Sequence, residues 1–351
     1  MSLLPETEEL SPARQRRDAH IMLAHGGGGQ LTDELINGLV LPRLGNAVLN
    51  DLLDSAILEN AGTRLAMTID GYVVQPLQFP GGDIGRLAVS GTVNDLAVCG
   101  AEPIGIALSM IITEGLEKAV LEQILDSIRI TAKEAGVNIV TGDTKVVGRN
   151  QGDGLYISTA GIGRMMTVRR LHPDQVQPGD AVILSGSIAD HGLAVMLARE
   201  MPDVHSVLRS DVAPLNRMIA RLLRRVPTVA FMRDPTRGGL ASVAADLASR
   251  SGWHVTLDEN EIPLHPQTLH AAEMLGLDPL EVANEGKVVI VVRPEGAQAA
   301  LEVLHEDPLG REARIIGKVD NVKDGICEIR TTIGGTRILQ KPYGEQLPRI
   351  C

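Results

Sequence analysis

The sequence predicts an α/β protein in two domains, and three observations predict it. Short Val/Ile-rich runs alternate with helical patterns from about Leu65 to Gly163. The same alternation restarts at VQPGDAVILSG after the turn-rich MMTVRRLHPDQ, which sets a boundary near residues 164 to 178. A length of 351 residues suits two units at roughly 150 residues apiece.

In chain order, residues 1–17 read as a mobile extension, polar and lacking a signal-peptide core. The first domain, 18–165, begins with AHGGGGQLTDELI (residues 24–36), a glycine-rich loop that opens a helix. RLAMTID follows as a strand, GRLAVSGTVNDLAVCG as a helical run of small and aliphatic residues, IALSMIIT as a strand, KAVLEQILDSIRITAKEAG as a helix and NIVTGD as a strand end. The second domain, 175–337, takes up the same types. AVILSG and TVAFMRD are strands, GGLASVAADLASR a helix, EGKVVIVV a strand and EGAQAALEVLHE a helix. Residues 338–351 carry two prolines and one glycine and read as a flexible tail that ends in Cys351.

Composition excludes several functions. Aromatic residues make up 2% and the formal net charge is −11, so bases find few rings to stack on and a polyanion is repelled on average. No nucleic-acid partner is expected. No run approaches ~18 uninterrupted apolar residues, so no membrane partner is expected either, and the cytoplasm is the default compartment. Three cysteines without CxxC spacing or zinc-type His pairing argue against a thiolate metal site. Cys99 and Cys327 lie in apolar runs that suit buried, inert thiols, whereas Cys351 stands outside any packed pattern and is free to meet other molecules.

Acidic residues adjoin apolar elements at several points. Asp70 closes RLAMTID, Asp143 follows NIVTG, and Asp95 interrupts the aliphatic run SGTVNDLAVCG. Each reads alone as a turn residue or a satisfied core acid; together they suit a hard cation such as Mg²⁺, which favours oxygen ligands and brings phosphates with it. Beyond the carboxyl ends of parallel strands such a cluster marks a ligand site, a rule that weakens if the sheets are mixed. FMRDPTRGGL repeats the arrangement with Asp234, and its Arg237 and glycine-led helix suit a phosphate or a simple helix cap. Gly26, Gly27, Gly28 and Gly29, with His25 beside them, offer backbone donors to phosphate, although no Walker or G-x-G-x-x-G register is present. Lys145 in TGDTKVV and Glu285 in ANEGKVVIVV read as proton carriers or as surface charges. SGSIADHGL, with Asp190 and His191, reads as a site or a turn.

Together these segments resemble the HypE family of hydrogenase maturation proteins, within the aminoimidazole ribonucleotide synthetase-like ATP-dependent superfamily. The resemblance runs from about residue 24 to the last, through AHGGGGQL, TIDGYVVQPLQFPGGDIG, GTVNDLAVCGAEP, VTGDTKVV, SGSIADHG, DPTRGGL, ANEGK and PRIC, of which PRIC is the most specific. It implies two α/β domains with mixed sheets, the first pairing in a homodimer, and ATP bound through Mg²⁺ in a cleft. Asp70, Asp95, Asp143 and Asp234 then fall where metal and phosphate ligands are expected, with Asn94 and Thr144 nearby and the glycine loop closing on phosphate. Cys351 is implied to receive a carbamoyl group from the carbamoyltransferase HypF. ATP drives its dehydration to a thiocyanate, and the cyano group passes to iron on a HypC–HypD scaffold, towards a nickel–iron hydrogenase centre. Glu285 and Lys145 are the two candidates for the base this needs. Two other functions fit the same features: phosphorylation of a free small-molecule acceptor, and a nucleotide-regulated scaffold.

Overall fold

Among the described residues, fourteen strands and the helices between them arise where the apolar periodicity changes from two to three or four residues. The structure, a computed structural model, describes residues 20–60, 62–167, 169–344 and 349–351. The expected extension at 1–17 lies outside the described residues.

In chain order come β1 (Ala56–Asn60), β2 (Thr63–Tyr72), the short hairpin β3 (Gln78–Phe79) and β4 (Gly82–Asp83), β5 (Ala101–Thr113), β6 (Ile139–Val147) and β7 (Leu155–Met165). The five long strands form one sheet in the order β1-β2-β7-β5-β6. β5 and β6 run parallel and the other neighbours antiparallel. A second sheet holds β8 (Ala181–Leu184), β9 (Val229–Arg233), β10 (His254–Asp258), β11 (Val289–Val292), β12 (Arg314–Asp320), β13 (Cys327–Arg330) and β14 (Thr336–Leu339). Its order is β14-β13-β10-β12-β8-β11-β9, with β10 and β13 parallel. Both sheets are mixed, so the rule for parallel strand ends does not locate the site.

Of the helices, α1 (Gln30–Leu35) starts a helical run that continues to Leu44. α2 (Ile84–Val98) is capped by Asp83, which accepts from the Arg86 amide at 2.9 Å. α2 is apolar nearly all round because it lies between the first sheet and the second unit. α3 (Lys118–Ala135) is amphipathic: Ile124, Ile128 and Ala132 face inward at four-residue spacing, and left-handed Gly136 ends it. The second unit carries α4 (Asp190–Glu200), α5 (Asn216–Arg225), α6 (Gly239–Ser251), α7 (Pro266–Leu275) and α8 (Pro294–His305). Among the described residues no helix is long and apolar enough to cross a membrane.

α2 and α3 cover one face of the first sheet. The opposite face carries Leu58, Met67, Ile69, Ile111 and Ile162, all exposed, with Ile69 at 72%. Period-two alternation and the pairing of Met67 with Ile162 and of Ile111 with Lys145 put these on one side. The core beneath the other face includes Val195, Val212 and Ala283 from the second unit, and also Ile350 from the tail.

Candidate active site

Two chambers meet at Arg237. The first, of about 310 Å³, is acidic: Asp54, Asp70, Asp95 and Asp234 line it, with Thr68 and Gly28. Asp95 comes from α2 and accepts from the Thr68 hydroxyl at 2.8 Å. Asp70 comes from β2 and accepts from the Tyr72 hydroxyl at 3.1 Å, and Asp234 directly follows β9. Burial, then repulsion from Asp70 and Asp234, pushes the Asp95 carboxyl well up. Burial, then Asp54, raises Asp234 to about 8, and burial raises Asp70 against the opposing hydrogen bond from Tyr72. Besides Arg237, two cations line it as well. Arg233 pairs with Asp54 at 3.1 Å and Asp246 at 3.3 Å, and Lys341 with Asp246 at 2.8 Å and Asp33 at 2.7 Å.

The second chamber holds the thiol. Cys351 lines it beside Gly26, Gly27, Gly71, Arg237 and Ala283. Arg237 is held charged chiefly by Cys351, with Asp70, Glu285 and Asp95 adding to the effect, so one guanidinium feels both chambers. The end of the tail is seated beside the chain leaving β2, with Arg349 in a turn at φ +59°. The Val73 amide donates to the main-chain oxygen of Cys351 at 3.1 Å, the Gln75 amide to that of Arg349 at 3.2 Å, and Arg349 Nε to that of Val73 at 3.1 Å. Ile350 is 2% exposed. Its burial stabilises the seat by about 1.5–3 kcal/mol, while fixing each backbone residue costs about 1–2 kcal/mol. The polar contacts therefore decide whether the tail stays.

The glycine loop is shaped by these neighbours. Gly28 has φ +72°, and a Cβ there would lie 2.8 Å from Cβ of Arg237. A Cβ on Gly29 would lie 2.2 Å from the Pro342 carbonyl oxygen, which accepts from the Gln30 amide at 2.9 Å. Gly26 and Gly27 face the thiol chamber and Gly28 the acidic one. His25 turns its Nδ1 to the backbone of Met22, 3.0 Å from that amide.

The other expected residues lie elsewhere. Asn94 is buried and bridges the two units: its amide donates to the main-chain oxygens of Ala213 and Glu285 at 3.1 and 3.2 Å and accepts from the Leu215 amide at 2.7 Å. Glu285 is 3% exposed, burial followed by Asp234 pushes its carboxyl well up, and its Oε1 has no hydrogen-bond partner among the described residues. Asp143 and Lys145 pair with each other at 2.8 Å on exposed β6, in neither chamber, and the pairing holds the Asp143 carboxyl low. Thr144 points to the other side of that strand. Sequence reasoning passed over Asp54 and Asp246. Asp54 gives no signal in the polar NDLLDSA, but Asp246 interrupts ASVAADLAS as Asp95 does its own helix, and that signal was available.

Comparison with known proteins adds the family. The domain models of the AIR synthase related proteins match residues 52–165, the N-terminal domain, and 177–330, the C-terminal domain. The carbamoyl dehydratase HypE of Rhizobium leguminosarum bv. viciae is 48% identical over 335 residues, which cover 95% of this chain and 96% of that one. A crystal structure of a HypE–HypF complex superposes with a TM-score of 0.83 at 40% identity, covering 88% of this chain and 99% of that one. Another, of the hydrogenase maturation protein HypE in complex with ATP, gives 0.79 at 41% identity and covers 95% and 100%.

Proposed function

The chain belongs to the HypE hydrogenase maturation family, and from that premise we propose that it uses ATP to dehydrate a carbamoyl group carried on Cys351. The observation that carries this reading is the seat of Cys351, one guanidinium away from a chamber lined by six aspartates, Asp54, Asp70, Asp95 and Asp234 among them. An S-carbamoyl group holds its oxygen too tightly to lose it as water. Transfer of the γ-phosphoryl group to that oxygen releases ADP; loss of the nitrogen protons then expels phosphate and leaves –S–C≡N.

This chain's residues divide that work. Arg237, between the chambers, offers its guanidinium to phosphate oxygens while they bridge from one side to the other. Gly26, Gly27, Gly28 and Gly29 bring backbone donors against the same place once the loop rearranges, because the Gly27 and Gly28 amides donate to the Ala24 oxygen and the Thr32 hydroxyl in the present conformation; His25 fixes the turn that precedes them. Glu285 is the first candidate base: it lines neither chamber, but its Oε1 has no partner among the described residues, and a carboxylate destabilised by burial is a stronger base once ionised.

Among the described residues no group of three or more His, Cys, Asp or Glu side chains is assembled round a metal position. The donor chemistry nevertheless fits Mg²⁺, because buried carboxylates that raise one another's affinity for protons are short of positive charge. Asp70, Asp95 and Asp234 would hold it, and bound there it supplies charge neutralisation to phosphate oxygens.

The open apolar face of the first sheet supports a homodimer built on residues 18–165, with residues 175–337 outside that contact; of the expected tail 338–351, residues 338 and 339 belong to β14, and the end that bears Cys351 is the carrier. A second copy over this face covers Ile69 and Met67 and brings Asp143 and Lys145, on the same side, to a subunit boundary from which they act on nucleotide, Lys145 as the second candidate base; Thr144, on the other side of β6, takes no part there. HypF, the partner in the relative's crystal complex, is the donor we propose for the carbamoyl group, and a HypC–HypD scaffold the acceptor of the product, in the cytoplasm. The reading is tested on the full chain carbamoylated at Cys351. Addition of ATP and Mg²⁺ should remove the mass of one water from the tail peptide; an adduct left whole while ATP is consumed would overturn it.

A further inference from the structure

The segment SIADHG, which read as either a turn or a site, is a turn that aims one side chain at the tail. Ala189 takes φ +70° and its amide donates to Asn284 Oδ1 at 2.6 Å, and the Gly192 amide donates to the Ala283 oxygen at 3.1 Å. A Cβ at residue 192 would lie 2.5 Å from the Val282 side chain, so the first turn of α4 is pressed against that strand-leading loop and cannot swing. His191, between these anchors, is fully buried. Its ring stands edge-on to Phe79, with centroids 5.4 Å apart and planes at 85°.

The hydrogen bonds fix the tautomer. The main-chain oxygen of Ile350, 3.0 Å from Nε2, can only accept, so in the neutral ring Nε2 carries the proton and Nδ1 accepts from the Ser210 hydroxyl at 2.8 Å. Burial holds the imidazole neutral, which agrees with this arrangement.

We infer that His191 is a positioning residue for the carrier tail: its Nε2–H grips the Ile350 carbonyl and so sets where the Cys351 sulfur rests in the cleft. The inference deepens the proposed function and rests on it for its purpose, but the grip itself is a matter of geometry. A backbone carbonyl is read here, not a side chain, so the contact is indifferent to the residue at 350, while the apolar site beneath selects Ile350 by size.

Hydrogen–deuterium exchange of the full-length chain, followed by mass spectrometry, tests the grip without ATP or a carbamoyl group. The readout is the exchange of the Val73 and Gln75 amides, which donate to the tail. Removal of residues 349–351 sets the unprotected reference. His191→Asn keeps a polar group within reach of Ser210 but is too short for Ile350, and should speed exchange at both amides about tenfold. His191→Gln, whose amide nitrogen reaches as far as Nε2, should restore protection to within about threefold of wild type. Peptides from α2 report the fold and should not change in either variant. Wild-type protection in His191→Asn, equal loss in Asn and Gln with α2 unchanged, or no change on truncation would each overturn the inference. Should the dehydration test fail while this pattern holds, the chemistry falls and the seat stands.

Discussion

Asp234, raised to about 8 by burial and by Asp54, binds a proton in the folded chain across a pH range where the unfolded chain has lost it. The folded state then holds more protons than the unfolded state, so stability falls as pH rises from the ordinary value of 3.8 towards 8. The thermal midpoint of the metal-free protein, in chelator, is expected to drop over that interval, and Asp234→Asn should flatten the slope; Mg²⁺ should raise the midpoint more at pH 8 than at pH 6. Scanning calorimetry across this range checks all three, and an Asn variant with the wild-type slope would show that the charge sits elsewhere. Asp95 and Asp234 were legible in the sequence because a charge beside an aliphatic helix or at the end of an apolar strand demands compensation. Asp54 was not, since a polar loop hides an acid that only tertiary structure turns inward.

At the scale of elements, the glycine loop shows how far local reading reaches. Four consecutive glycines announce backbone freedom, but which of them needs it depends on Arg237 and Pro342, more than two hundred residues away in the chain. Gly29→Ala would force a methyl into the Pro342 carbonyl and break the bonds from the Gln30 and Leu31 amides to residues 342 and 343, at a cost of roughly 1–3 kcal/mol. Gly26→Ala meets open space and should be neutral within about 0.5 kcal/mol. Denaturant midpoints of the two variants, measured side by side, decide the matter, and equal losses would contradict it. The tail was likewise only half legible. Its prolines mark a segment that cannot continue a helix or a central strand, yet Ile350 is as buried as any core residue because α4 and the loop after β2 leave a gap of its size.

For the whole molecule, strand composition made the two α/β units readable while sheet order stayed hidden. Antiparallel and parallel neighbours draw on the same Val/Ile-rich runs, and only the order β1-β2-β7-β5-β6 reveals that Asp143 and Lys145 share a face with Ile69 and not with Asp70. Ile69→Asp puts a charge at the centre of the open face and should leave the thermal midpoint of the separate chain unchanged, because the side chain is 72% exposed there. If the proposed homodimer forms through this face, sedimentation should show the mass halved relative to wild type; an unaltered mass for the variant would remove this face from the proposed contact.

The seated terminus has one more consequence. Departure of the last three residues would cost an imidazole and two amides one protein partner each and open a hydrophobic socket to water. What would remain is a vacant receptor for any short end of matching shape, so the molecule's own extremity would be the first competitor of whatever else lodges there.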